Sequence, residues 1–216
     1  MKADTIFISG IDTDAGKSYA TGWLAARLAD KGLKVRTQKF IQTGNEGRSE
    51  DIELHRKITG EGLADEPWEL TAPEIYTYPA SPHLSAEIDG RPVSLAKIDA
   101  ARERLEATCD VLLVEGAGGL MVPVDRDTLT IDYISSRGLD VALVTNGKLG
   151  SISHTLLALE AIRTRGLRLR WLLYNSHFDT DRIIAEDARE FIRSWASLKF
   201  PETEFLIVPS IELGVS

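Results

Sequence analysis

Along the chain, short apolar runs rich in β-branched residues alternate with segments whose apolar positions recur every three to four residues. Ile6–Ser9, Val35–Phe40, Val111–Glu115, Val141–Thr145, Leu169–Asn175 and Phe205–Val208 read as buried strands bounded by turn residues. Between them, Lys17–Lys31, Ile98–Thr108, Ser151–Arg165 and Asp181–Leu198 carry helical spacing and end near a glycine or a strand start. Runs that are apolar on both faces suit a parallel sheet covered by helices on each side. The expected architecture is therefore α/β, with a mostly parallel central sheet flanked by helices on both faces. Two stretches, Thr43–Ser49 and Gly60–Pro92, break any sustained period with Gly, Pro and charged residues. Both read as active-site or interface loops.

With 216 residues and 43% hydrophobic side chains, the chain can bury about 70% of its unfolded surface around one core. No repeat or linker divides it, so a single domain over residues 1–216 is expected. The net charge of −8 speaks against a nucleic-acid partner, because backbone affinity comes from clustered Lys and Arg. No run approaches the ~20 apolar residues that span a bilayer, and Met1-Lys2-Ala3-Asp4 lacks a signal-peptide layout. The expectation is a cytoplasmic protein with no membrane partner. One cysteine, Cys109, rules out an intrachain disulfide and reads as a structural thiol in a reducing compartment.

The strongest chemical signal follows the first strand. Gly10-Ile11-Asp12-Thr13-Asp14-Ala15-Gly16-Lys17-Ser18 leads directly into a helical pattern. A phosphate loop needs this layout: backbone N–H groups at a helix start face a polyphosphate, and Gly16 admits close backbone approach. Lys17 would reach the β- and γ-phosphates, and the Ser18 hydroxyl would serve Mg²⁺. Five residues, one more than in the general phosphate-loop pattern, separate Gly10 from Gly16. A dinucleotide fingerprint is disfavoured, since Asp12 stands where its second glycine belongs.

Parallel topology brings further candidates to the same sheet edge. Glu115 ends an apolar strand ahead of Gly116-Ala117-Gly118-Gly119 and is a candidate Mg²⁺ ligand. Asp51, near a helix start, reads equally as a metal ligand or as a complement to the helix dipole. Lys39 ends its strand ahead of Thr43 and Gly44, on the edge shared with Lys17 and Glu115.

In their order, the long loop Gly10 to Ser18, the Lys39–Gly44 segment, Ser81-Pro82-His83, the Glu115–Gly119 run and Lys148-Leu149-Gly150 resemble the dethiobiotin synthetase family. The resemblance spans nearly the whole chain and implies a P-loop NTPase-type fold. It also implies ATP as co-substrate, Mg²⁺, carbon dioxide and 7,8-diaminononanoate as reactants, and a homodimer with shared active sites. By this resemblance Thr13, Asp14, Ala15, Gly16, Lys17 and Ser18 hold nucleotide, as do Asn175, Pro209, Ser210 and Ile211 around the base. Ser18, Asp51 and Glu115 hold the metal. Lys39 and Lys17 are catalytic, with Lys39 beside the carbamate. Thr13, Thr43 and Ser81 line the substrate pocket, and Gly150, Ser151, Ile152 and Ser153 bind the substrate carboxylate from the neighbouring subunit. The chain departs from the family pattern at Asp14 (Glu is common), Ser18 (Thr), Phe40 (Pro) and Ser151 (where Cys can occur).

Two alternatives stay open on residues alone. One is a related amidotransferase-type ligase acting on a corrin-ring carboxylate, although 216 residues leave no room for a glutaminase domain. The other is a dimerising switch ATPase of the partitioning type, although Ile11, Asp12, Thr13 and Asp14 supply no early basic residue. His55 and His177 read as structural or solvated, and His83 and His154 as weak candidates for substrate contact. Trp23, Trp68, Trp171 and Trp195 read as core or interface packing.

Overall fold

Six strands pair side by side, all in parallel, in a computed structural model that describes residues 3–60 and 67–210. They are β1 (Asp4–Gly10), β2 (Val35–Lys39), β5 (Val111–Gly119), β6 (Asp140–Asn146), β7 (Leu169–Asn175) and β8 (Glu204–Val208), in the order β2-β5-β1-β6-β7-β8. β3 (Gln42–Thr43) and β4 (Ile75–Tyr76) form a separate two-stranded parallel pair. β1 lies inside the sheet, flanked by β5 and β6, so the loop after it opens into the crevice where ligands of such sheets bind.

Alternation along β1 divides the core into two layers. Ile6 and Ile8 face one side, where Leu113, Val144 and Leu173 meet Leu24 and Leu28 of α1 (Lys17–Ala29). Phe7 faces the other side with Leu112, Val114, Leu143 and Leu172. That second layer is closed by α5 (Leu95–Glu106), α6 (Thr130–Arg137), α7 (Ser151–Thr164) and α8 (Arg182–Lys199). Helices cover both faces, as the apolar runs predicted. Of the tryptophans, Trp171 is buried in the core; Trp23 and Trp68 lie under Arg27 and Arg56, and Trp195 stacks on Phe191 near the surface. Cys109 is partly buried, donates to the Leu105 carbonyl at 3.2 Å and has its thiol pushed up to about 11 by burial, as befits a structural thiol.

α2 (Glu50–Thr59) packs across α1, and Gly22 in the middle of α1 sets how closely. A Cβ there would lie 2.8 Å from Ile58 Cδ1 and 3.4 Å from the His55 Cα. The glycine weakens the helix by roughly 0.5–1 kcal/mol relative to Ala, and in return the two helices come into backbone contact.

The sequence reading needs three corrections. Gly60–Pro92 is not a plain loop: beyond residues 61–66, which lie outside the described part, it holds α3 (Trp68–Thr71), β4 and α4 (Pro82–Ile88). These elements are four, two and seven residues long, too short to show a period. The helix α6 went unread for the same reason. Finally, β2 ends at Lys39 and β5 runs on through the glycines to Gly119, while Phe40 donates its N–H to the Glu115 carbonyl at 2.8 Å.

Candidate functional site

The loop after β1 is shaped by backbone requirements. Gly16 has φ 83°, and a Cβ there would stand 2.1 Å from Asn175 Nδ2. Only glycine fits both demands. No side chain caps the start of α1, so its first N–H groups are available to an anion. The Asn175 amide braces the loop from behind: Nδ2 donates to the Ala15 carbonyl at 3.3 Å, and Oδ1 accepts from the His177 N–H at 3.1 Å.

Lys17 folds back over the loop, its ammonium donating to the carbonyls of Asp12 at 2.9 Å and Thr13 at 3.1 Å. It is buried, and burial, followed by the nearby Lys39 ammonium, lowers its pKa to about 8. A phosphate is the complement such a strained cation lacks.

Next to the loop, three oxygen donors and a second ammonium converge. The Ser18 hydroxyl lies 2.5 Å from Asp51 Oδ1 and 2.9 Å from Glu115 Oε1. Lys39 Nζ lies 2.6 Å from Asp51 Oδ2 and 2.8 Å from Glu115 Oε1, and donates to the Gly116 carbonyl at 3.1 Å. Four elements deliver this cluster: α1, the start of α2, and the carboxyl ends of β2 and β5, where Lys39 and Glu115 are register partners. The Ser49 hydroxyl caps α2, accepting from the Ile52 N–H at 3.2 Å and donating to Gln42 Oε1 at 2.5 Å. That cap fixes where Asp51 enters the site.

The loop and the cluster share one cavity of about 650 Å³. Thr13, Asp14, Gly16, Lys17 and Ser18 line it at the loop, Lys39, Asp51 and Glu115 on the carboxylate side, and Thr43 beyond them. A neighbouring cavity of about 370 Å³ shares Thr13, Thr43, Ala117 and Gly118 with it and extends to Ser81. Ala15 and Asn175 are buried behind the loop; Pro209 and Ser210 are exposed, with Ser210 Oγ 3.0 Å from His177 Nδ1. Ile211 lies outside the described residues. Gly150, Ser151, Ile152 and Ser153 line none of these cavities, and the Ser151 hydroxyl is taken up by Asn146 Oδ1 at 2.5 Å. Ser153, by contrast, is exposed at the start of α7.

Four residues of the site that carry a ring or a charge were not among the candidates. Tyr19, Lys148 and Phe178 line the cavity, with the Lys148 ammonium 4.0 Å from the Phe178 ring centre and hydrogen-bonded to the Asp14 carbonyl at 3.3 Å. His55 is the fourth. It is fully buried, and its Nε2 lies 2.6 Å from Glu115 Oε2. Of the two readings of His55, solvated and structural, burial against the central carboxylate excludes the solvated one. His177 is exposed and stacks parallel to Tyr19 at 6.3 Å. His83 pairs with the Ser81 hydroxyl at 3.0 Å, outside the main cavity.

Known proteins agree with this geometry at two levels. In fold, the chain is similar to a plasmid partition protein from Borrelia burgdorferi bound to AMPPNP (TM-score 0.58, 13% identity, covering 98% of this chain and 89% of that one). It is also similar to the hydrogenase maturation factor HypB from Archaeoglobus fulgidus (TM-score 0.52, 15% identity, 96% and 81% covered). At such identities the likeness is one of fold alone, that of P-loop NTPases. In sequence, residues 4–200 match the profile of a family described as an AAA domain. The chain is 41% identical to the ATP-dependent dethiobiotin synthetase BioD 2 of Pasteurella multocida, over 98% of this chain and 100% of the relative. It is 43% identical to the ATP-dependent dethiobiotin synthetase BioD of Chlorobaculum tepidum, over 100% of this chain and 89% of the relative. A nucleotide loop of unusual length, an oxygen cluster beside it and full-length likeness to these ligases lead to one assignment: the chain belongs to the ATP-dependent dethiobiotin synthetase family.

Proposed function

We propose that this chain converts 7,8-diaminononanoate, carbon dioxide and ATP into dethiobiotin, ADP and phosphate, with Mg²⁺, in the cytoplasm. The observation that carries the reading is the convergence of Lys17, Ser18, Lys39, Asp51 and Glu115 in one cavity at the end of β1. One substrate amine adds to carbon dioxide and loses a proton, giving a carbamate. A carbamate oxygen attacks the γ-phosphorus, and the bond to ADP breaks. The second amine then attacks the carbonyl carbon, and phosphate leaves with the bridging oxygen as the ring closes. No protein nucleophile is needed, so the chain's task is positioning and charge stabilisation.

The donor set fits Mg²⁺. Among the described residues no group of three or more His, Cys, Asp and Glu side chains could cage a metal. Two carboxylates and a hydroxyl beside a phosphate loop are what an ion keeping waters and substrate phosphates requires. That the Lys39 ammonium rests between the same carboxylates supports a site built to hold positive charge. Bound there, the ion would offset charge on the phosphoryl oxygens. Lys17 and the N–H groups of α1 would hold the β- and γ-phosphates, and Lys39 would face the carbamate. Thr13, Thr43 and Ser81 line the way for the diamine, while Asn175, Pro209 and Ser210 stand toward the base.

The substrate carboxylate is assigned to Gly150–Ser153 of a second subunit. Met121, Leu149 and Leu157, respectively 53%, 89% and 67% exposed, give that face an apolar surface for a homodimer. The test is an assay of phosphate release and product mass with Mg-ATP, bicarbonate and the diamine, each omitted in turn. Equal amounts of phosphate and dethiobiotin, both dependent on every reactant, are expected; phosphate release indifferent to the diamine would overturn the reading.

A further inference from the structure

His55 sits beneath the site and lines neither of its cavities. Its ring is fully buried, and among the described residues its one polar contact is Nε2 to Glu115 Oε2 at 2.6 Å and Nδ1 has no partner. An ionised carboxylate only accepts hydrogen bonds, so Nε2 carries the hydrogen. A histidine kept as filler gains nothing from leaving a ring nitrogen unpartnered in the core. An apolar side chain would fill the space without that cost.

The two Glu115 oxygens have separate tasks. Oε1 meets the Ser18 hydroxyl at 2.9 Å and Lys39 Nζ at 2.8 Å, on the cavity side. Among the described residues, Oε2 meets His55 alone. The terminal torsion of a glutamate is soft and roughly two-fold, so without a partner on Oε2 nothing would keep Oε1 turned toward Ser18. Asp51 and His55 stand four residues apart on α2 and so share its inner face. Gly22 helps that face reach the sheet edge, since a Cβ there would press against the Ile58 side chain and touch the His55 Cα.

We propose that His55 is a positioning residue for the divalent-cation site: its Nε2–H locks the Glu115 carboxylate in the rotamer that offers Oε1 to the metal, and thereby sets metal affinity. The inference rests on the reading of Ser18, Asp51 and Glu115 as the Mg²⁺ site. Partners of metal ligands typically change affinity by about 10–100-fold when removed.

The test compares His55→Gln with His55→Asn. The glutamine amide reaches the place of Nε2, whereas the asparagine amide is too short, and both put one amide into the same buried space. A nonhydrolysable ATP analogue, held fully bound by an excess of each protein, is titrated with Mn²⁺, and free Mn²⁺ is read by electron paramagnetic resonance. The half-saturating Mn²⁺ concentration should rise about tenfold in the Asn variant and stay within about threefold of wild type in the Gln variant. Glu115→Gln separates the two readings. If it raises the midpoint while both His55 variants stay at the wild-type value, the positioning role is wrong and the metal site stands. If Glu115→Gln changes nothing, both fall. Equal losses in the Asn and Gln variants also overturn the proposal. Spectra of the ¹⁵N-histidine-labelled wild type need no variant: one slowly exchanging Nε2–H is expected, and an Nδ1–H tautomer contradicts the account.

Discussion

Lys39 and Glu115 meet twice, as register partners across β2 and β5 and as an ion pair with Nζ 2.8 Å from Oε1. Both are buried. Burial alone would lower the Lys39 ammonium, but Glu115 and Asp51 outweigh it and hold it above its usual range. Burial alone would raise Glu115, but Lys39 and then His55 hold its carboxyl well below the usual range. The Glu115 contribution is therefore present above the unfolded value of ~4.3 and is lost as pH falls through its lower folded pKa. The Lys39 contribution is present below ~10.4 and is lost only as pH rises beyond that.

Removing one member of such a pair strands the other. Lys39→Met should cost about 3–5 kcal/mol at pH 7. The deficit should shrink toward pH 4, because an unpaired buried Glu115 takes up its proton more readily. Urea melts at several pH values check this; a deficit that is constant with pH contradicts it.

Lys17 has the opposite sign. With its pKa lowered to about 8 by burial and by Lys39, the folded chain binds fewer protons than the unfolded one between there and ~10.4. Burying this cation costs stability at pH 7, and the cost is relieved as pH rises through that window. Lys17→Met should therefore raise the Tm of the nucleotide-free protein by several degrees, at about 2–4 °C per kcal/mol. ATP affinity should fall at least ~100-fold if Lys17, which lies over the loop carbonyls of Asp12 and Thr13, holds the phosphates as proposed. Calorimetric melting and titration measure both.

The cap of α2 links stability to the site. Ser49→Ala removes the acceptor of the Ile52 N–H and the donor to Gln42, at an expected cost of about 1–2 kcal/mol. Because Asp51 begins that helix, the Mg²⁺ requirement of turnover should rise as well. A stability loss with an unchanged Mg²⁺ midpoint would detach the cap from the site.

The sequence disclosed what is local or set by parallel topology. Gly10–Ser18 is contiguous, and Lys39 and Glu115 both end strands that must point to one edge. Asp51 could be read equally as a metal ligand or as a helix-start acid, since its meeting with Ser18 depends on how α2 crosses α1. His55 was out of reach for the same reason: its partner is 60 residues away, and Gly22 shows its purpose only once Ile58 lies against it. Only the resemblance puts Ser151 at the substrate carboxylate, and the sequence does not reveal that its hydroxyl donates to Asn146.

The exposed Leu157 tests the proposed subunit sharing. Leu157→Arg should elute as a monomer, keep ATP affinity within about threefold and lose ring closure by at least tenfold, since only the carboxylate-binding segment of the second subunit is removed. Full turnover by a monomer would contradict a shared site.

The most direct measurement follows oxygen from bicarbonate. Short reactions with ¹⁸O-labelled bicarbonate, Mg-ATP and the diamine are quenched and both products are weighed by mass spectrometry. Phosphorylation of a carbamate predicts one ¹⁸O in the phosphate and one in the dethiobiotin carbonyl. Unlabelled phosphate beside labelled dethiobiotin would mean that water, not a carbamate oxygen, takes the γ-phosphoryl group, and the account of this site would be wrong.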